Sequence, residues 1–106
     1  MSFHLSAQNI RVEDDHILHA ELQNEDGDWV EAELDLNHVL GNNDGRFEWH
    51  GGDFSGSADD ISFELEGDDN VPILRAQLTN GDGDQVDADV NLAERIGNNN
   101  GSFHFE

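Results

Sequence analysis

The stretch "HILHAELQNEDGDWVEAELDLNHVLGNNDGRFEW" (residues 16–49) returns as "PILRAQLTNGDGDQVDADVNLAERIGNNNGSFHF" at residues 72–105. Aligned without gaps, 16 of the 34 positions are identical. The match continues upstream, where "SAQNIRVE" (6–13) aligns with "SADDISFE" (57–64). Two copies of a unit of about 50 residues are too few for a solenoid, which needs at least three stacked units. The repeat therefore predicts two pseudo-symmetric halves within the 106-residue chain.

Each copy alternates apolar and polar residues in the way that half-buried β-strands do. Apolar residues stand at every other position in four segments, residues 18–22 and 30–34 of the first copy and 74–78 and 86–90 of the second. A period of two places the apolar set inward and the polar set in water. Between the segments, "NEDGD" (24–28) and "NGDGD" (80–84) have the composition of hairpin loops.

After its second strand, each copy changes to the pattern of a short helical turn. "DLNHVLG" begins at Asp35 and "NLAERIG" at Asn91, two residues whose side-chain oxygens suit the N-cap position. Gly41 and Gly97 are predicted to end these turns in the left-handed conformation.

Tight turns follow the helical turns. Asp44-Gly45 and Asn100-Gly101 predict chain reversals, because glycine adopts positive φ freely and Asx residues tolerate it. The second copy also carries five extra residues within "LEGDDNVP" (65–72), which predict a longer turn there.

The charge of the chain restricts its partners. Twenty-five acidic residues against four Lys and Arg give a formal net charge of −21. Nucleic acid and anionic membrane surfaces repel such a polyanion, so neither is predicted as a partner. The chain has no cysteine, which excludes disulfides, thiolate nucleophiles and cysteine-type zinc sites.

The first residues, "MSFHLSAQNI", carry neither a basic region nor a long apolar run, so no signal peptide is predicted. No segment approaches the roughly 20 apolar residues that a membrane-spanning helix requires. The predicted location is the cytoplasm, with unconventional secretion as the alternative.

Two asparagines beside the tight turns indicate a polar binding site. Asn42 and Asn98 precede the turns, which do not need them for their conformation. An amide side chain offers two donors and an acceptor, and the carboxylate of Asp44 adds a strong acceptor. A vicinal diol needs a donor and an acceptor side by side, so this combination is typical of sugar recognition.

The motifs "SAQNI", "LDLNHVLGNNDGRFEW", "DFSGSA" and "VNLAERIGNNNGSFHFE" resemble those of the cyanovirin-N homologue family of lectins over essentially the whole chain. The resemblance implies an all-β fold with short helical turns, in which each half has a three-stranded sheet and the halves exchange a β-hairpin. It implies a half A of residues 1–38 and 95–106 and a half B of residues 39–94. It further implies binding of an oligosaccharide, a glycan rich in α1,2-linked mannose, near each end of the molecule, without enzymatic activity.

Carried over position by position, the resemblance implies two sets of site residues. Site B comprises Gly41, Asn42, Asn43, Asp44, Asp53, Ser57, Asn80, Gly81, Asp82 and Gly83. Site A comprises Ser2, His4, Leu5, Ser6, Gln23, Asn24, Glu25, Asp26, Asn98, Asn99 and Asn100.

Both sites depart from the family pattern. In site B, Asp53 replaces an amide, Ser57 replaces a threonine, and Gly81 replaces an arginine of the family's cyanobacterial prototype. In site A, Leu5 replaces a polar amide and Asn100 replaces a carboxylate. The number of working sites is therefore left open.

Calcium binding is the main alternative. "NEDGDW" and "NGDGDQ" place oxygen ligands at the first, third and fifth positions, as an EF-hand loop does. The sixth position should be glycine but is Trp29 or Gln85, and the twelfth should be glutamate but is Asp35 or Asn91. No metal site and no cofactor are therefore predicted, and an acidic domain that binds calcium or a basic protein partner remains the alternative function. A sugar hydrolase is a second alternative, although no catalytic carboxylate pair can be singled out.

The segment "HGGD" (50–53), which joins the two copies, predicts a monomer. Its two glycines admit turn angles without steric cost, so the chain can fold back on itself there. Repulsion between two chains of net charge −21 also opposes dimerisation.

Overall fold

The computed structural model of the chain describes residues 3–68 and 70–105, in which ten β-strands and four 3₁₀ turns are found. The strands are β1 (Ala7–Glu13), β2 (Ile17–Gln23), β3 (Trp29–Asp35), β4 (Leu40–Asn43), β5 (Arg46–Trp49), β6 (Ala58–Glu66), β7 (Val71–Thr79), β8 (Gln85–Asn91), β9 (Ile96–Asn99) and β10 (Ser102–Phe105). The 3₁₀ turns are Phe3–Ser6, Leu36–His38, Phe54–Ser57 and Leu92–Glu94. The predicted all-β class with short helical turns is confirmed, and none of the described helical segments could span a membrane.

The repeat appears as two three-stranded antiparallel sheets, β1-β2-β3 and β6-β7-β8. In each, the middle strand buries its alternate apolar residues, as its period of two predicts. The buried positions are Leu18, Ala20 and Leu22 in β2 and Leu74, Ala76 and Leu78 in β7. The two sheets therefore contribute equivalent faces to the core.

Two short hairpins, β4–β5 and β9–β10, connect the copies. The hairpin β4–β5 of the first copy packs on β8, and a Cβ added at its Gly45 would lie 3.2 Å from the Cβ of Val86. The hairpin β9–β10 packs on β3, where Gly101 meets Val30 at the same distance. Each copy thus places its hairpin on the sheet of the other copy, which is the predicted exchange.

The core is one cluster that joins both copies. Its fully buried members include Phe3, Leu36, Phe54 and Leu92. The rings of Trp49 and Phe105 also meet with centroids 5.7 Å apart, so the two hairpins touch each other. The molecule is elongated, with extents of 50 × 26 × 21 Å.

The predicted N-caps of the two helical turns are confirmed, whereas the glycines predicted to end these turns do not do so. Asp35 and Asn91 both act as N-caps, accepting the backbone N–H two residues later at 2.9 Å. Gly41 does not end the turn in the left-handed conformation, because the turn closes at Val39 and Gly41 already lies in β4. Gly97 likewise lies in β9.

The extra residues of the second copy lengthen a hairpin more than they lengthen its turn. Strands β6 and β7 have nine residues each, whereas β1 and β2 have seven. Four of the five extra positions therefore extend the strand ladder, since each added pair there gains hydrogen bonds that a loop would not supply. The prediction of a longer turn is largely wrong.

The linker 50–53 folds back tightly on β4. Gly41 forms an antiparallel bridge with Asp53, and the Asp53 N–H donates to the Asn37 carbonyl at 2.9 Å. A Cβ added at Gly51 would lie only 2.8 Å from the Gly41 Cα. Glycine is therefore required at the linker because two backbones touch there.

The N-cap residue Asp35 also pairs with two histidines. His16 Nδ1 lies 2.9 Å from Asp35 Oδ1, and His38 Nε2 lies 3.7 Å from Asp35 Oδ2. Burial acts to raise the pKa of Asp35, but the hydrogen bonds from His16 and the Asn37 N–H and the charges of both histidines lower it below its ordinary value of 3.8. In the second copy, Pro72 and Asn91 stand at the positions of His16 and Asp35.

We expect Asp35→Asn, which copies the cap of the second repeat, to lower stability most at pH 5 and progressively less towards pH 3. A carboxyl group whose pKa is depressed by folding stabilises the protein above its unfolded value, and this stabilisation is lost as the pH falls through the folded value. Urea denaturation at several pH values would measure the gap between the two proteins. A gap that stays constant from pH 5 to pH 3 would contradict the ion pair.

Candidate functional site

The centre of site B is the side chain of Asn42, which lies between the hairpin β4–β5 and the second sheet. Its Nδ2 donates to Ser57 Oγ at 2.9 Å and to the Thr79 carbonyl at 2.8 Å. Its Oδ1 accepts the Gly45 N–H at 2.9 Å. Asn42 thus fixes the Asp-Gly turn to the end of β7, so the expectation that the turn does not need this side chain is wrong, and its donors are already used by the protein.

Asp44 connects the same turn to the neighbouring loop. Its positive φ of 53°, followed by 89° at Gly45, makes the two-residue reversal that hairpins favour. Its Oδ1 accepts the Gly81 N–H at 2.7 Å. Among the described residues, the carboxylate's other oxygen has no hydrogen-bond partner, so it is a free acceptor in site B.

The loop 80–84 is ordered by its first residue. Asn80 Oδ1 accepts the N–H of Asp82 at 2.9 Å and that of Asp84 at 3.0 Å. The Gly83 N–H donates to the Asn80 carbonyl at 3.1 Å. The backbone of the loop is therefore fixed, while the side chains of Asp82 and Asp84 are exposed.

Site A repeats this arrangement with different residues. Asn98 Nδ2 donates to Ser6 Oγ at 2.8 Å and to the Gln23 carbonyl at 2.9 Å, and Asn98 Oδ1 accepts the Gly101 N–H at 2.9 Å. Asn100 Oδ1 accepts the Glu25 N–H at 2.9 Å. An amide oxygen thus replaces the carboxylate oxygen of Asp44, so this departure from the family pattern leaves the geometry unchanged.

The loop 24–28 is ordered in the same way, by Asn24 Oδ1, which accepts the N–H groups of Asp26 and Asp28 at 3.0 Å each. In both loops the oxygen at the first EF-hand position is therefore engaged by backbone amides. Within residues 3–68 and 70–105, no group of three His, Cys, Asp or Glu side chains is placed to hold a metal ion.

The remaining predicted residues lie around these centres. In site B, Asn43 is exposed and donates to Glu48 at 3.2 Å, while Gly41 and Asp53 meet at the linker. In site A, Asn99 is exposed, Leu5 is 75% exposed, and His4 packs edge-on against Phe3. Ser2 lies outside the described residues.

Two residues that contact the predicted site B residues are not predicted from the sequence. The carbonyl of Thr79 and the carboxylate of Glu48 both accept from the Asn-Asn pair of β4. Thr79 could have been found from the repeat, because Gln23 stands at the same position before the loop of the first copy. The Gln23 carbonyl accepts from Asn98 just as the Thr79 carbonyl accepts from Asn42.

Comparisons with known proteins agree with this fold. The family model described as "CVNH domain" matches residues 3–104. The "Cyanovirin-N homolog" of Neurospora crassa is 46% identical over 107 residues, which cover 97% of this chain and 96% of that protein.

Two solved structures extend the comparison. The NMR structure of the Gibberella zeae CVNH protein is 57% identical, with a TM-score of 0.94 and coverage of 98% of this chain and 96% of that one. The structure titled "Microvirin:mannobiose complex" is 26% identical, with a TM-score of 0.88 and coverage of 99% and 98%.

Proposed function

This chain belongs to the cyanovirin-N homologue family, and from that membership we propose that it recognises mannose-rich glycans with α1,2-linked mannose through sites A and B. The family consists of lectins, which bind carbohydrate without catalysing a reaction. The observation that carries the proposal is the duplicated arrangement of an Asx-Gly turn held against an Asn-ordered loop. The mannobiose complex of microvirin supports mannose as the sugar.

The chemistry of each site suits adjacent hydroxyl groups. At site B, the second carboxylate oxygen of Asp44 accepts from one hydroxyl. At site A, the Nδ2 group of Asn100 donates instead, because its Oδ1 is engaged by Glu25. The two sites therefore have the same hydrogen-bond arrangement, but the free group is an acceptor on Asp44 at site B and a donor on Asn100 at site A. We propose that both sites bind mannose with unequal affinity.

The division of the chain and its oligomeric state are part of the proposal. Half A, residues 1–38 and 95–106, holds site A, and half B, residues 39–94, holds site B. The contacts of β10 with β3 and of β5 with β8 support this division. We propose a monomer, because the linker at Gly51 folds back on β4 within one chain.

Titration with α1,2-mannobiose, followed by amide NMR, tests the function. We expect shifts at residues 41–45 and 80–83, at residues 98–101 and 23–26, or at both sets. Asp44→Ala should weaken binding at site B by about tenfold to a hundredfold, and Asn100→Ala should do so at site A, since each removes a ligand group and a loop contact, worth about 1–3 kcal/mol.

Glu64→Ala removes the same charge as Asp44→Ala, but from the exposed face of β6, and serves as the control. Its titration should match that of the wild-type protein. The absence of shifts at millimolar mannobiose would reject the proposed sugar, and shifts away from both turns would reject the proposed sites.

A further inference from the structure

Five Asx-Gly pairs, in which an Asp or Asn precedes a glycine, are the points of this chain most prone to spontaneous rearrangement. The glycine nitrogen can attack the side-chain carbonyl carbon of the preceding residue, because glycine has no Cβ to hinder the approach. The pairs begin at Asp26, Asp44, Asn80, Asp82 and Asn100. The neutral amides of Asn80 and Asn100 are better electrophiles than the carboxylates of the other three, so these two are the reactive pairs.

The reaction at an Asn-Gly pair is deamidation. The glycine nitrogen gives up its proton to a base and bonds to Cγ of the asparagine, while the amide nitrogen takes up a proton and leaves as ammonia. Water then opens the resulting succinimide ring at either carbonyl carbon, and the product is aspartate or isoaspartate, whose backbone runs through the former side chain. Because the nucleophile is the glycine nitrogen without its proton, an acceptor that holds this N–H opposes the first step.

The fold provides such an acceptor at each of the five pairs. The Gly81 N–H of the first reactive pair donates to Asp44 Oδ1 at 2.7 Å, and the Gly101 N–H of the second donates to Asn98 Oδ1 at 2.9 Å. The glycine N–H groups of the other three pairs also donate, those of Gly27, Gly45 and Gly83. At both reactive pairs the acceptor is a side chain, so a single substitution can remove it.

The pair at Asn100 is also restrained at the carbon that would be attacked. Asn100 Oδ1 accepts the Glu25 N–H at 2.9 Å, which fixes the orientation of the amide. Gly101 is buried, so base from the solvent reaches its nitrogen poorly, although Asn100 itself is exposed. The phrase "GNNNG" (97–101) therefore contains both a reactive pair and, at Asn98, the acceptor that restrains it.

We propose that Asn80 and Asn100 are deamidation sites, and that Asp44 and Asn98 suppress the reaction in the folded protein by holding the glycine N–H groups. The side chains that shape sites A and B thereby also preserve the chemical composition of these sites. This role requires no bound sugar and goes beyond the proposed function.

Deamidation at Asn100 would change site A, a consequence that does rest on the proposed function. Aspartate would exchange the free donor of Asn100 for an acceptor, as Asp44 has at site B. Isoaspartate would add a methylene carbon to the backbone of the turn and displace the oxygen that accepts the Glu25 N–H. Site A therefore keeps its donor only as long as Asn98 holds the Gly101 N–H.

The test follows deamidation by mass spectrometry while the folded protein is incubated at mildly alkaline pH without sugar. All four basic residues are arginines, and tryptic cleavage after Arg75 and Arg95 places the two reactive pairs in separate peptides, 76–95 and 96–106. Each peptide gains mass when an amide becomes a carboxyl group, and fragmentation assigns the change to one residue. The two pairs are thus measured independently in one sample.

Asn98→Ala should accelerate deamidation of Asn100 by about fivefold to tenfold, as the loss of one hydrogen bond would give, and leave Asn80 unchanged. Asp44→Ala should have the reverse effect, so each variant is the control for the other. In urea that unfolds the wild-type chain, both pairs should react faster than in the folded protein and at similar rates.

Two further variants distinguish the acceptor from a general loosening of the turn. Ser6→Ala removes one partner of the Asn98 amide but leaves the oxygen that holds Gly101, and Asn98→Asp keeps such an oxygen while losing both donated bonds. In both variants Asn100 should react no faster than in the wild-type protein. An unchanged rate in Asn98→Ala, an accelerated rate in Ser6→Ala, or a folded wild-type rate equal to that in urea would overturn the proposal. None of these results depends on whether mannobiose binds, so the proposed function stands or falls separately.

Discussion

A Gly51→Ala variant is expected to lose about 2–3 kcal/mol of unfolding free energy, because its methyl group would lie 2.8 Å from the Gly41 Cα and 2.9 Å from the Gly41 nitrogen. Both contacts are with backbone, which cannot move aside as the end of a flexible side chain can. Opening the linker would relieve the clash and preserve the contacts between hairpin and sheet if a second chain supplied the partner half. We therefore expect part of the variant to form a domain-swapped dimer.

Gly56→Ala is the matched control, since nothing lies within 4 Å of a Cβ added there. Chemical denaturation would measure the stability of both variants, and light scattering on a size-exclusion column would measure their mass. The wild-type protein and Gly56→Ala should elute as monomers of 11.8 kDa. Wild-type stability and mass in Gly51→Ala would contradict the tight crossing of the linker and β4.

The second large effect concerns Asn42, whose replacement by alanine should eliminate binding at site B and also lower stability by about 1–3 kcal/mol. The variant leaves the Gly45 N–H, the Thr79 carbonyl and Ser57 Oγ without the partners that Asn42 supplies. Since the Asp44 turn is then no longer tied to β7, the sugar ligands at site B lose their fixed positions.

Asn98→Ala is the reciprocal control, because it should remove sugar-induced shifts at site A and spare those at site B. Asn43→Ala controls for stability and should change it by less than about 0.5 kcal/mol, since within the described part of the chain its exposed amide bonds only to exposed Glu48. If Asn42→Ala retained full affinity at site B, the turn would not depend on this amide.

The sequence predicted those features that depend on neighbouring residues. Asp35 and Asn91 were identified as caps because the cap and the amide it accepts are two residues apart. The alternation in β2 and β7 identified the buried face for the same reason. Because the sequence is repeated, each of these patterns occurs twice along the chain.

Features that depend on distant contacts were predicted less well. Gly41 was assigned to a helix end because a glycine after a helical pattern usually has that role, whereas its actual constraint is Gly51, which meets it through the fold. Asn42 stays a predicted site residue, and its partner Thr79 lies 37 residues away, so that only its equivalence to Gln23 in the repeat points to it. The resemblance to a family supplied the residue set, and the structure supplied contacts for Asn42, Asp44, Asn98 and Asn100.

The exchange of hairpins makes the two sites unequal in topology although they are equal in geometry. The hydrogen bonds that close site B join residues 15 and 37 positions apart, whereas those that close site A join residues 75 and 92 positions apart. Each doubling of a closed loop removes chain entropy equivalent to about 0.6 kcal/mol. Site A therefore has the higher contact order, and a larger entropic penalty opposes its closure from the unfolded chain.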